Sequence, residues 1–221
     1  MFQGLAAGWR GLRHMLTQSH VYIWASVLWF LLTLPIITAP LAWAGICRMS
    51  YMALRQPSPR LDDFWDGFKA HWKGGLALGI LGLLLVIVNL VNLMGYSRSI
   101  NLQTSILRII WIMTLASWFG IQLYAFPLLN AMEKPTLYGA YRNAVVMIFL
   151  NPLFSLGVGV IALLVIIASV IIPVAIVLIS GAALASIGNA AVQDRLVAAG
   201  IQKGITRPEP EAATTFDEIY L

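Results

Sequence analysis

The chain has 221 residues, 60% of them hydrophobic and only 10% charged, whereas roughly a quarter of the residues in soluble globular domains carry charge. With a mean hydropathy of +0.83 this excludes a soluble core, and at about 20 residues per helical crossing it leaves room for about six spans and no separate catalytic domain. The net charge of +5 reads as membrane topology rather than nucleic-acid binding, because Lys and Arg gather at the ends of apolar stretches.

Cys47 is the single cysteine, which excludes an intrachain disulfide and a cysteine metal cluster. No short apolar run ending at a small-residue cleavage site stands near the N-terminus, so the first span is expected to act as its own insertion signal. Residues 2–18 place Phe2, Leu5, Trp9, Leu12 and Leu16 at helical spacing, with Gln3, Arg10, Arg13 and Gln18 elsewhere around the wheel. That pattern predicts a helix lying in the membrane interface, and residues 1–20 are set apart as an amphipathic segment.

From Val21 to Leu54 the chain is almost uncharged, but Pro35 and Pro40 bracket Ile36-Ile37-Thr38-Ala39. One kinked helix would split the cations Arg10 and Arg13 from Arg55 and Arg60. Two short spans, 21–37 and 39–54, keep them on one face as the positive-inside rule requires. After the Gln56-Pro57-Ser58-Pro59 break, Leu61, Phe64, Trp65, Phe68 and Trp72 recur at helical spacing opposite Asp62, Asp63, Asp66, Lys69 and Lys73. The acids come early and the lysines late, as the helix dipole favours, so a cytoplasmic interfacial helix is expected.

Gly75 to Tyr96 reads as the third span, Ser97 to Thr104 as a polar loop, and Ser105 to Met132 as the fourth span. Glu133-Lys134-Pro135 ends it, and Leu137, Tyr138, Tyr141 and Val145 then make a second apolar face. From Asn143 to Gln193 there follow 51 residues without Asp, Glu, Lys, Arg or His. This is too long for one crossing of about 20 residues and right for two, with Pro173 at the turn between spans 152–171 and 173–192. Residues 196–221, with Pro208 and Pro210, are expected to form a loose cytosolic tail. The whole is an all-α polytopic membrane bundle over 21–195, with about six transmembrane helices and amphipathic helices on the cytoplasmic face. Both termini fall in the cytoplasm, because twelve of the fourteen Lys and Arg then lie inside and only Arg98 and Arg108 outside. An echo is visible between Ala53–Gly82 and Ala131–Gly159, each a helix end, a proline break, an aromatic amphipathic helix and a glycine-containing span.

Several of these residues resemble the YesL-like family of bacterial membrane proteins, whose biochemical role is uncharacterised. They are Trp29-Phe30, Leu34-Pro35-Ile36-Ile37-Thr38, Phe64-Trp65-Asp66-Gly67-Phe68-Lys69, Tyr124-Ala125-Phe126-Pro127, Arg142-Asn143-Ala144 and Asn151-Pro152. The resemblance covers about residues 20–195. It implies a multi-pass protein of the bacterial plasma membrane linked to carbohydrate uptake, and so an accessory role beside permease subunits of an ATP-binding-cassette sugar transporter. It brings no catalytic residues and no cofactor.

No Walker A, HExxH or GxSxG sequence and no paired carboxylates are present. His14, His20 and His71 fall at predicted interfaces, and every carboxylate falls in a loop or in the tail. Neither a metal site nor an ion relay within a span is expected, since intramembrane carboxylates are the usual relay groups. The polar candidates inside spans are Asn89 and Asn92, one turn apart, and Gln122 with Asn130. They could contact a ligand's hydroxyls or bond between helices, the simpler account. Arg48 lies about two turns from a span end, within reach of phosphates by snorkelling. Phe64, Trp65, Phe68, Trp72, Tyr138, Tyr141 and Arg142 are expected to meet lipid headgroups or a partner. Small-residue stripes at Gly75, Gly79 and Gly82, and at Gly181, Ala185, Gly188 and Ala191, permit close helix approach, internally or with a partner. The expected function is that of a non-enzymatic accessory or regulatory protein of carbohydrate transport. A small-solute transporter or channel and a structural subunit of a larger complex are the alternatives, with membrane lipids as the general partner and no nucleic acid.

Overall fold

In the computed structural model of the protein, proline and side-chain caps set several helix starts. The described residues are 1–17, 19–56, 59–70, 72–96 and 101–202. Expectations placed on Gln18, Pro57, Ser58, His71, loop residues 97–100 and the tail from 203 lie outside the described residues. In chain order the helices are α1 (Phe2–Thr17), α2 (Ser19–Thr33), α3 (Ala39–Arg55), α4 (Asp62–Ala70), α5 (Trp72–Gly95), α6 (Leu102–Ala131), α7 (Leu137–Leu150), α8 (Pro152–Ile171) and α9 (Pro173–Ala198). Pro40, Pro152 and Pro173 stand in first turns, where a missing N–H leaves nothing unpaired. Asn101 and Thr136 cap α6 and α7 by accepting from the N–H groups of Thr104 and Gly139.

Among the described residues four helices, α5, α6, α8 and α9, are long and apolar enough to cross a membrane. They are the last four of the six predicted spans, and the α8–α9 hairpin turns at Pro173 as expected. A fifth crossing exists only if α1 and α2, bent by 103° against each other, form one broken span. At the predicted first hairpin the structure differs in reach. Helices α2 and α3 have 15 and 17 residues, about 22 and 26 Å at 1.5 Å per residue, against a hydrocarbon core of about 30 Å. They still form a hairpin, with Trp29 and Trp43 edge to face across it. At its tip Ile36 has a φ of 61° and the Ile37 N–H reaches Pro35 O at 2.6 Å, a γ-turn that strains a β-branched residue.

The N-terminal helix also packs within the bundle. Helix α1 packs on α8 and α9 through Gly4, Ala7, Gly8, Gly11 and Met15, while Phe2, Trp9 and Leu16 point outward. A Cβ on Gly11 would come within 2.6 Å of Ser186 O, and one on Gly157 within 2.5 Å of Met1 O; Gly4 meets Phe154 O in the same way. Backbones this close are joined by Cα–H···O contacts and dispersion, the means by which helices associate in lipid. Pro127 repeats the device in α6: lacking an N–H, it cannot bond Leu123 O, and Gly188 of α9 packs directly on that carbonyl. Of the predicted small-residue stripes, the one on α9 therefore packs internally, as Gly75 does against Leu41 and Gly82 against Trp118.

Both echo segments fold in the same order, a short helix laid back on the preceding one and then a long span: α4 on α3 before α5, and α7 on α6 before α8. Helix α9 opens with a π-helical turn at Ile176–Ser180. Just beyond it the Ala182 N–H donates to Ser26 Oγ of α2 at 3.1 Å, so α2 is tied to α9 beside the widened turn.

Candidate functional site

The polar candidates of α5 and α6 do not converge. The amide nitrogens of Asn89 and Asn92 donate to Leu85 O (2.9 Å) and Val88 O (2.7 Å) of their own helix. Asn89 is buried, and its Oδ1 has no partner. Gln122 lies on the other side of the Gly82–Trp118 crossing, since the two helices run antiparallel. Its Oε1 accepts from Tyr141 at 2.8 Å and its backbone O accepts from Trp43 Nε1 at 3.1 Å. Asn130 donates to Phe126 O at 3.0 Å. Side chains of this type satisfy a helix's own carbonyls before they reach anything else.

The aromatic faces expected on headgroups or a partner divide, with Phe64, Phe68 and Tyr141 turned inward. Phe64 is fully buried against α3 and Phe68 packs beside it. Tyr141 packs on Trp118 and Phe126 of α6, and burial pushes its phenol up to about 12 against the opposing effect of Gln122. It remains a neutral donor to Gln122 at physiological pH. Trp65, Trp72, Tyr138 and Arg142 are exposed. Between α5 and α6 an open groove of about 420 Å³ is lined by Leu85, Ile110, Met113, Thr114, Ser117 and Trp118. It is apolar apart from two hydroxyls, and Thr114 Oγ1 donates to Ile110 O.

Two polar clusters escaped the sequence reading. Where α1, α2, α3 and α9 meet, the Tyr22 hydroxyl lies beside Ser50 and Ser186 and 3.4 Å from His14 Nδ1. Ser186 donates to Gly11 O at 2.7 Å. One turn along α9, Asn189 donates to Cys47 O (3.0 Å) and Ala185 O (2.9 Å). The second cluster corrects the expectation that all carboxylates lie in loops or tail. Helix α9 runs past its predicted end at Val192 to Ala198 and carries Asp194 with it. Asp194 pairs with Arg10 of α1 and with Arg195, whose guanidinium stacks 4.0 Å from the Phe154 ring. Ser186 and Asn189, three apart on a helix of small residues, were the available signal. Among the described residues no three His, Cys, Asp or Glu gather in a way that could hold a metal ion.

Residues 22–93, 72 of the 221, match the model of a family described as protein of unknown function, DUF624. The chain is similar to that family from α2 through most of α5, and the description carries no activity. No curated protein matches the chain, and no solved structure does.

Proposed function

We propose that this multi-pass protein is a non-enzymatic accessory component that docks on another integral membrane protein through the hairpin of α5 and α6. The observation that carries this reading is a contrast in burial: 11% of the most apolar window of α5 and 6% of that of α6 lie inside the protein, against 56% for α9. Lipid alone can cover such helices. The groove between them adds what a second helix uses, a concave apolar seat with the Ser117 hydroxyl available for interhelical contact. The resemblance to YesL-like proteins makes a permease subunit of a sugar transporter of the ATP-binding-cassette type the expected partner, in the bacterial plasma membrane with both termini cytoplasmic. The transporter or channel reading has less support, because Asn89 and Gln122 sit on opposite sides of a helix crossing instead of around one cavity.

The test is purification of the tagged chain from native membranes in mild detergent, with mass-spectrometric identification of what accompanies it. Recovery of permease subunits supports the accessory role, and recovery of another intact complex makes the chain a structural subunit of that complex. In either case Ser117→Trp, which fills the groove, should release the partner without changing thermal unfolding. A chain that emerges alone or as a homo-oligomer overturns the reading.

A further inference from the structure

Three arginines are part-buried among the described residues: Arg48, Arg108 and Arg195. Two of them have an acceptor. Arg108 donates from Nε (3.0 Å) and Nη2 (2.7 Å) to Tyr96 O, and Arg195 bonds Asp194 Oδ2 at 2.7 Å. Arg48 has none, and its Nε is buried with no partner. It lies seven residues before Arg55 on α3, about 10 Å deeper along the helix at 1.5 Å per residue. Helix α4 crosses at this point. A Cβ on Gly67 would approach Arg48 Cβ to 2.7 Å and Ala44 O to 2.8 Å, so α4 rests on the stem of the arginine and walls one side of it. The acids of α4 do not serve it. Asp62 pairs with Arg60 at 3.0 Å, Asp63 accepts from the Arg60 N–H at 3.3 Å, and Asp66 is exposed.

A buried cationic nitrogen without an acceptor is costly, and the rest of the Arg48 guanidinium is free to take an anion. Its planar fork matches the oxygen pair of a phosphate. We propose that Arg48 binds a phosphate oxyanion at the α3–α4 crossing, supplied by a lipid headgroup or by a free phosphate group.

Thermal unfolding of the purified protein in a neutral detergent tests this, with phosphatidylglycerol or inorganic phosphate added to wild type, Arg48→Met, Arg48→Lys and the exposed control Arg142→Met. Phosphatidylglycerol should raise the wild-type Tm by several degrees, and the half-saturating concentration should rise at least about tenfold in Arg48→Lys, which keeps the charge but loses the fork. Arg48→Met should lose the shift and Arg142→Met should keep it. A shift with phosphatidylglycerol alone assigns the site to a headgroup, and a shift with inorganic phosphate as well assigns it to a free phosphate. Equal shifts in wild type and both Arg48 variants, or no shift in wild type with either probe, overturn the proposal. If Arg48→Met does not fold, the Arg48→Lys comparison decides.

Discussion

The bundle of α1, α3, α8 and α9 and the hairpin of α5 and α6 hold their helices together in opposite ways. In the first, glycines let backbones touch, and buried polar side chains such as Ser186 and Asn189 cross from helix to helix. In the second, two long helices cross at Gly82 and Trp118, and although the C-terminal part of α6 packs on α7 and α9, most of the apolar length of both helices faces the outside. Lipid is as apolar as leucine, so large side chains gain nothing by turning inward, and only contact geometry decides which surfaces close. The first region has spent its contact surface on itself. The second retains it for lipid or a partner.

The sharpest way to break this comparison is to give the glycine-packed region a side chain. Gly11→Val brings atoms against Ser186 O and the Ile187 Cα, and neither backbone can move without opening α9. A loss of about 3 kcal/mol is expected in reversible unfolding in mixed micelles. Gly159→Val on α8, where nothing lies within 4 Å, should cost less than about 1 kcal/mol. Equal values for the two would show that the close approach of α1 to α9 at Gly11 does not hold the bundle together.

The helices of this bundle also show what can be read from residues alone. Length and proline placement announced α8 and α9, because two spans and one turn are the only way to house 51 uncharged residues. The packing of α1 was not legible, because Gly4, Gly8 and Gly11 read as gaps between the apolar residues Phe2, Trp9 and Leu16. In the structure they are exposed, and the glycines between them are buried. The same inversion hid Gly67, which reads as a gap in an aromatic face but is the point at which α4 meets α3. Among the site candidates, chemistry named Asn89, Asn92, Gln122 and Asn130 correctly as polar groups in helices. It could not say that each has a bonding partner of its own nearby, which depends on rotamers and neighbours.

Smaller effects sharpen the same contrast. Asn189→Leu removes the donor to Cys47 O from a site that water does not reach, and should cost about 2 kcal/mol. At the tip of the first hairpin the sign reverses. Ile36→Gly relieves a left-handed residue, and after the entropy that glycine loses on folding a gain of about 1 kcal/mol should remain, seen as a higher unfolding midpoint. A loss instead would mean that the Ile36 side chain, exposed at the tip, is held by contacts stronger than the strain.

The smallest effect belongs to the α5–α6 hairpin. Asn92 is exposed and bonds only Val88 O, and Asn89 bonds only Leu85 O while its own oxygen stays unpaired. Replacing either by Leu removes an amide that no other helix uses, so Asn89→Leu and Asn92→Leu should each leave the unfolding free energy within about 0.5 kcal/mol of wild type. The set against Asn189→Leu is informative because the three substitutions are chemically identical and differ only in whether the amide crosses to a neighbour. A large loss at Asn89 would show that its Oδ1 has a donor on a neighbouring helix, and Trp111 Nε1, buried on α6 and also unpartnered, is the group that could supply it. In that case the hairpin would be a locked element with a fixed register, and docking through its groove would require a partner that fits it as it stands.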